Sequence, residues 1–148
     1  MLARELMTGY PAVVTGDDSL RTAADEMRTH NVGLLPVVAD THTRRLIGVI
    51  TDRDIVIRGV AHGHGAGAKV RDHMTAGPLH TVDADDSADE IATVMRRHQV
   101  RRLPVVDAKD SVIGIVAQAD LALTIGPQDP LLVERTIESI SRPAVLMG

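Results

Sequence analysis

Two segments of the chain are copies of one another, and that duplication constrains the fold more than any other feature. "LMTGYPAVVTGDDSLRTAADEMRTHNVGLLPVV" runs alongside "HMTAGPLHTVDADDSADEIATVMRRHQVRRLPVV", and "IGVITDRDI" alongside "IGIVAQADL". Met7-Thr8 answers Met74-Thr75, Pro11 answers Pro78, and Asp17-Asp18-Ser19 answers Asp85-Asp86-Ser87. Met27, His30, Gly48 and Asp54 answer Met95, His98, Gly114 and Asp120, with the offset running from 66 to 68 as short loop insertions produce. Each copy holds about 55–60 residues, too few to bury much surface alone, so the two are expected to pack face to face.

The local patterns agree between copies. After each proline comes a short extended segment, at residues 12–15 and 79–82, and then Asp-Asp-Ser, whose side chains suit the orphan amides of a helix start. Ser87 and Glu90 have capping-box spacing. Leu20, Ala23, Ala24 and Met27, like Ala88, Ile91, Ala92 and Met95, follow the i, i+3, i+4, i+7 rule of a helix with one buried face. "LLPVV" and "RLPVV" read as strands, each followed by a turn, a second β-rich run and a second helix. The fold class is therefore α/β (α+β): two βαββα repeats related by a pseudo-twofold, plus a C-terminal helix. The divisions are a first repeat over 1–61, a glycine-rich linker over 62–69, a second repeat over 70–125 and a helical extension over 126–148. "GVAHGHGAGAK", residues 59–69, has the composition of a flexible connector. In the extension, Leu132, Val133, Thr136, Ile137 and Ile140 make an apolar stripe.

Composition limits what such a fold can do. Apolar residues make up 44% of the chain, yet Phe and Trp are absent and Tyr10 is the one aromatic, so the core must be aliphatic. A net charge of −4 with interspersed signs argues against a nucleic-acid surface, which needs a dense basic face and stacking platforms. Without cysteine there is no disulfide framework, thiolate nucleophile or Cys-based zinc site. "MLARELMTGYP" lacks a signal-peptide pattern, and no apolar run approaches the roughly 18–20 residues of a membrane span, so a soluble cytoplasmic protein is expected.

The "MT" pair, the "LPVV" strands and "GVITDRD", recurring in order over nearly the whole chain, resemble the CBS motif, named after cystathionine β-synthase. The layout is similar to small stand-alone bacterial CBS pairs (Bateman modules) of the hypoxic-response type. The resemblance implies clefts that hold an adenosine nucleotide, modules that pair into a homodimer, and signalling through an effector protein.

The residues of the first junction suit that use. A strand ending at Thr51 and turning into a helix presents free amides; the Thr51 hydroxyl donates readily, and the Asp54 carboxylate matches the paired hydroxyls of a ribose. Thr51 and Asp54 also have the spacing of a helix cap, and both roles are compatible. In the second junction Ala117 and Gln118 stand where Thr51 and Asp52 do, while Asp120 remains. By the family's arrangement Arg101 and Arg102 would face Thr51 and Asp54 as a phosphate clamp, whereas the residues opposite Asp120 would be Gly33 and Leu34. One competent and one degraded site are expected. The base would rest on Val38 or Val106, with the backbone of Leu79, His80 and Thr81 reading its edge.

The remaining candidates read as structure. His62 and His64 lack the carboxylates of a zinc site and fit a polar linker; His30 and His98 end equivalent helices, where a cation suits the dipole; the Asp pairs suit caps. No catalytic triad, P-loop or dinucleotide loop is present, so no catalysis and no catalytic cofactor are expected. The expected function is a regulatory module binding AMP, ADP or ATP; the alternative is a ligand-free dimeric scaffold in a stress response.

Overall fold

Ser19 and Ser87 set the frame of each repeat. In the computed structural model, which describes residues 1–141, the Ser19 hydroxyl accepts from the Thr22 amide at 3.1 Å. Ser87 and Glu90 form the expected capping box, each side chain accepting from the other's amide at 3.2 Å. The aspartates before them do a different job from the caps expected of them. Asp18 and Asp86 accept from the amides of Thr15 and Asp83, closing the turn ahead of each helix. Asp17 and Asp85 form ion pairs with Arg71 and Arg4.

In chain order the first part of the molecule carries α1 (Ala3–Leu6), β1 (Thr8–Gly9), β2 (Val14–Thr15), α2 (Leu20–His30), β3 (Leu34–Val38), β4 (Leu46–Thr51) and α3 (Asp52–Asp54). The second carries β5 (Val82–Asp83), α4 (Ala88–His98), β6 (Arg102–Val106), β7 (Val112–Ala117) and α5 (Gln118–Asp120), and α6 (Pro130–Ser141) follows. The short helices α3 and α5 each continue into a π-helical turn, Ile55–Gly59 and Leu121–Ile125. This is the mixed α/β pattern of two βαββα repeats and a C-terminal helix. Residues 142–148 of the expected extension lie outside the described residues.

The repeats exchange their leading segments. Thr8 and Gly9 pair antiparallel with Ile115 and Gly114 of β7, while Thr75 bridges Val49 of β4. Two compact units result: one of Met1–Gly9, His80–Val105 and Gly114–Gly148, the other of Tyr10–Leu79 and Val106–Ile113. Gly48 and Gly114 permit this, since a side chain at either would meet the methionine of the incoming Met-Thr pair.

In the unit of Tyr10–Leu79, β2 lies parallel to β3 and β4 antiparallel to it, with Leu35 opposite Ile50. β2 pairs only Val37 and Val38, so Pro36, which has no amide to donate, sits where β3 has a single neighbour. Val14, Leu20, Ala23, Met27, Leu35, Val37, Ile50 and Val70 form the core. Tyr10 is outside it, 79% exposed.

The segment 59–69, expected to be flexible, is instead tied down. The first-turn amides of α2 lack partners within the helix, and Leu20 N–H donates to Ala68 O at 2.8 Å and Arg21 N–H to Ala66 O at 3.0 Å. Small residues let this segment's carbonyls reach a helix end.

In the other unit, β1, β7, β6 and β5 stand in that order in one sheet. Ile91, Ala92, Met95, Leu103, Val105, Val116 and Leu121 are buried. Ala92 is buried while its counterpart Ala24 is exposed. The difference is α6, which packs on α4 through buried Thr136 and Ile140; Arg96 donates to the Thr136 hydroxyl at 3.4 Å. Among the described residues no helix is long and apolar enough to cross a membrane.

Candidate functional site

Each junction is a strand end that turns into a helix, and the carboxylate one turn in fixes the geometry. Thr51 N–H donates to Asp54 Oδ2 and Asp54 N–H to Thr51 Oγ1, both at 3.0 Å, a reciprocal capping box. The hydroxyl oxygen accepts in this box, so its hydrogen is still to be donated. In the second junction Ala117 N–H donates to Asp120 Oδ2 at 2.6 Å, but alanine offers the Asp120 amide no return acceptor. A cation absent from the sequence reading stands beside the first junction. Arg58 Nε lies 3.7 Å from Asp54 Oδ1, and Arg58 Nη1 donates to Met74 O at 3.1 Å. The i, i+4 spacing of Asp54 and Arg58 is the signal by which the sequence could have disclosed it.

Arg101 and Arg102 have a neighbour that the sequence did not disclose: the junction of their own repeat. Gln118 N–H donates to Arg101 O at 2.8 Å. Both arginines are exposed and, with Ala117, Gln118, Ala119 and Ala122, line a cavity of about 270 Å³. The first repeat repeats the backbone contact, Asp52 N–H donating to Gly33 O at 2.9 Å. There the place of an arginine side chain is taken by an acid, since a Cβ on Gly33 would lie 3.0 Å from Asp52 Oδ2.

Leu79, His80 and Thr81, expected to read a base edge, are all partly buried in the approach to β5. Val38 and Val106, expected to flank a base, are buried core residues. His80 carries a feature that the backbone reading missed. Its ring stacks on that of His98, centroids 3.5 Å apart and planes 13° apart, the one stacked ring pair among the described residues. His98 at the end of α4 therefore packs a ring, whereas His30 sits 3.2 Å from Glu26.

Burial holds the His80 imidazole below the ordinary histidine range, and the charge of His98 lowers it further. The unfolded chain then binds the proton more readily than the folded one, so stability falls as pH drops through the histidine range. Urea unfolding at pH 7.5 and pH 5.5 should show lower stability at the acidic value, and His80→Gln should flatten that dependence. An unchanged slope in His80→Gln would remove His80 as its source.

His64 and His73 form a second imidazole pair, Nδ1 to Nε2 at 2.8 Å, with His73 almost wholly buried. The rings of His62 and His64 lie 6.0 Å apart. Among the described residues no group of three or more histidines and carboxylates is set to hold a metal ion.

Comparison with known proteins agrees with this architecture. The CBS domain family pattern matches residues 3–59 and 70–126. Hypoxic response protein 1 of Mycobacterium tuberculosis is 39% identical over 120 residues, 81% of this chain and 82% of that protein. The CBS domain-containing protein YhcV of Bacillus subtilis is 36% identical over 120 residues, again 81% and 82%. Hypoxic Response Protein I, solved with two coordinated zinc ions, superposes with a TM-score of 0.75 at 38% identity, covering 84% of this chain and 98% of that one. The CBS domain pair of protein MJ0100, solved with 5′-methylthioadenosine and S-adenosyl-L-methionine, gives 0.74 at 28% identity over 86% and 98%. Matched in both repeats and along most of the length of such relatives, the chain belongs to the CBS-domain family.

Proposed function

We propose that this protein is a regulatory, non-catalytic module of the cytoplasm that binds an adenine nucleotide (AMP, ADP or ATP) at its strand-to-helix junctions and signals through a partner protein. The observation that carries this reading is the cavity where Arg101 and Arg102 meet the start of the second junction helix. Guanidinium groups bind phosphate oxygens bidentately, and the backbone turn beside them is held by its own hydrogen bonds. At about 270 Å³ the cavity is near the lower end of ligand pockets, roughly 300–1,000 Å³, a size for the phosphate and ribose rather than the whole molecule. Asp54 and Asp120 are the ribose acceptors, Thr51 adds a hydroxyl contact, and Leu79, His80 and Thr81 read the base. The binding of two adenosine compounds by the MJ0100 pair supports the same ligand class here. Exposed Val56, Ile57 and Val60 supply apolar surface for a homodimer.

The ligand shifts the module between states only by its differential affinity for them. Thermal unfolding with AMP, ADP, ATP, S-adenosylmethionine and NAD tests the reading. At a hundredfold excess over Kd, binding adds about 2.7 kcal/mol. For a chain of this size that is a rise of roughly 5–10 °C. No shift with any of them at millimolar concentration would sink it and leave the ligand-free scaffold.

A further inference from the structure

The two junctions share one backbone and differ in charge. Asp52 N–H to Gly33 O and Gln118 N–H to Arg101 O are the same hydrogen bond in the two repeats, at 2.9 and 2.8 Å. Gly33 and Arg101 therefore occupy one structural place, and Asp52 and Gln118 another. In the first repeat the Asp52 carboxylate lies over the bare glycine, with its Oδ2 3.0 Å from where a Cβ would stand, and its Oδ1 accepts from Arg53 N–H at 2.8 Å. In the second repeat the corresponding pair is a guanidinium and a neutral amide, with a second guanidinium, Arg102, on the same cavity wall.

The neighbouring charges do not cancel this inversion. On the first junction Arg53 and Arg58 match Asp52 and Asp54 in number, and Arg58 is already engaged by Asp54 and by Met74 O. On the second, Arg101 and Arg102 stand with one carboxylate, Asp120, whose Oδ2 is held by Ala117 N–H. We propose that the phosphates of the ligand are taken by the Arg101–Arg102 cavity of the second junction, and that Asp52 excludes them from the first. This rests on the nucleotide reading above and reverses the expectation that the Ala117 junction is the degraded one. Loss of the hydroxyl at position 117 is offset by two cations that the first junction lacks at that place.

The probe is inorganic pyrophosphate, which carries the charge without the base, titrated into the full chain by calorimetry at low and moderate salt. Arg101→Ala with Arg102→Ala, both exposed side chains, should weaken pyrophosphate at least tenfold and flatten its salt dependence. Gln118→Asp should weaken it several-fold, and Asp52→Gln should not. The inference is overturned if the wild type does not bind pyrophosphate, if the double variant binds it unchanged, or if Asp52→Gln weakens it as much as the double variant does. Pyrophosphate binding with these responses but no response to any adenine compound would uphold the charge assignment and sink the nucleotide reading alone.

Discussion

Gly48→Ala is expected to destabilise the fold by about 2–3 kcal/mol, and Gly114→Ala by clearly less. At Gly48 an added Cβ would stand 2.8 Å from Met74 Sδ and 2.9 Å from the carbonyl oxygen of Thr75. The methionine can swing away, since three rotatable bonds let it refill space. The carbonyl cannot, because Thr75 is fixed to Val49 by hydrogen bonds of 3.0 and 2.8 Å in both directions. Moving it breaks the bridge through which the second repeat's Met-Thr enters this unit. At Gly114 the three atoms nearest the Cβ all belong to the Met7 side chain. The smaller unfolded-state entropy of alanine returns under 1 kcal/mol at either site. Urea unfolding of both variants checks the order, and a second substitution identifies the cause. Met7→Ala should restore part of what Gly114→Ala loses, whereas Met74→Ala should not restore Gly48→Ala. Equal rescue at both sites would assign the whole constraint to methionine and refute the role of the carbonyl.

What the sequence discloses and conceals follows the range of the interactions. The α2 and α4 faces, the Ser87–Glu90 box and the Thr51–Asp54 cap depend on residues three or four apart, and the helical period displays them directly. The exchange of Met-Thr segments depends on register between distant strands, and Met7 faces Gly114 while Met74 faces Gly48 with no local mark of that choice. Ala24 and Ala92 have the same place in the period, and only the packing of α6 on α4 separates them. Within the site, the aspartates, arginines and His80 are visible as residue types. That Arg101 neighbours Gln118 follows from a backbone hydrogen bond between a strand start and a helix start 17 positions on, which no periodicity encodes. The glycines of 59–69 suggest freedom, yet the orphan amides of α2 consume the carbonyls between them.

His73→Ala is expected to cost about 2–4 kcal/mol, a fall in Tm of roughly 4–16 °C. Nothing in "RDHMT" marks this histidine, but it is 2% exposed and bonded through both ring nitrogens. The carbonyl of Lys69, 2.7 Å from Nδ1, can only accept, so Nδ1 carries the hydrogen. Nε2 shares a hydrogen bond with His64 Nδ1 at 2.8 Å. Its Cδ2 lies 3.8 Å from where a Cβ on Gly59 would stand, so the ring sits close beneath the start of the connecting segment. Alanine removes both hydrogen bonds, leaves the Lys69 carbonyl without that donor and opens a hole beneath residues 59–69. His64→Ala removes one exposed ring and one hydrogen bond, and should cost about 1 kcal/mol. His73→Leu refills the space without the donor and should fall between the two. Hydrogen exchange locates the damage: the Leu20 and Arg21 amides, which donate to Ala68 and Ala66, should lose protection in His73→Ala before the β3–β4 amides do. If His73→Ala costs no more than His64→Ala, or if those two amides stay protected, the buried imidazole does not hold the connector in place.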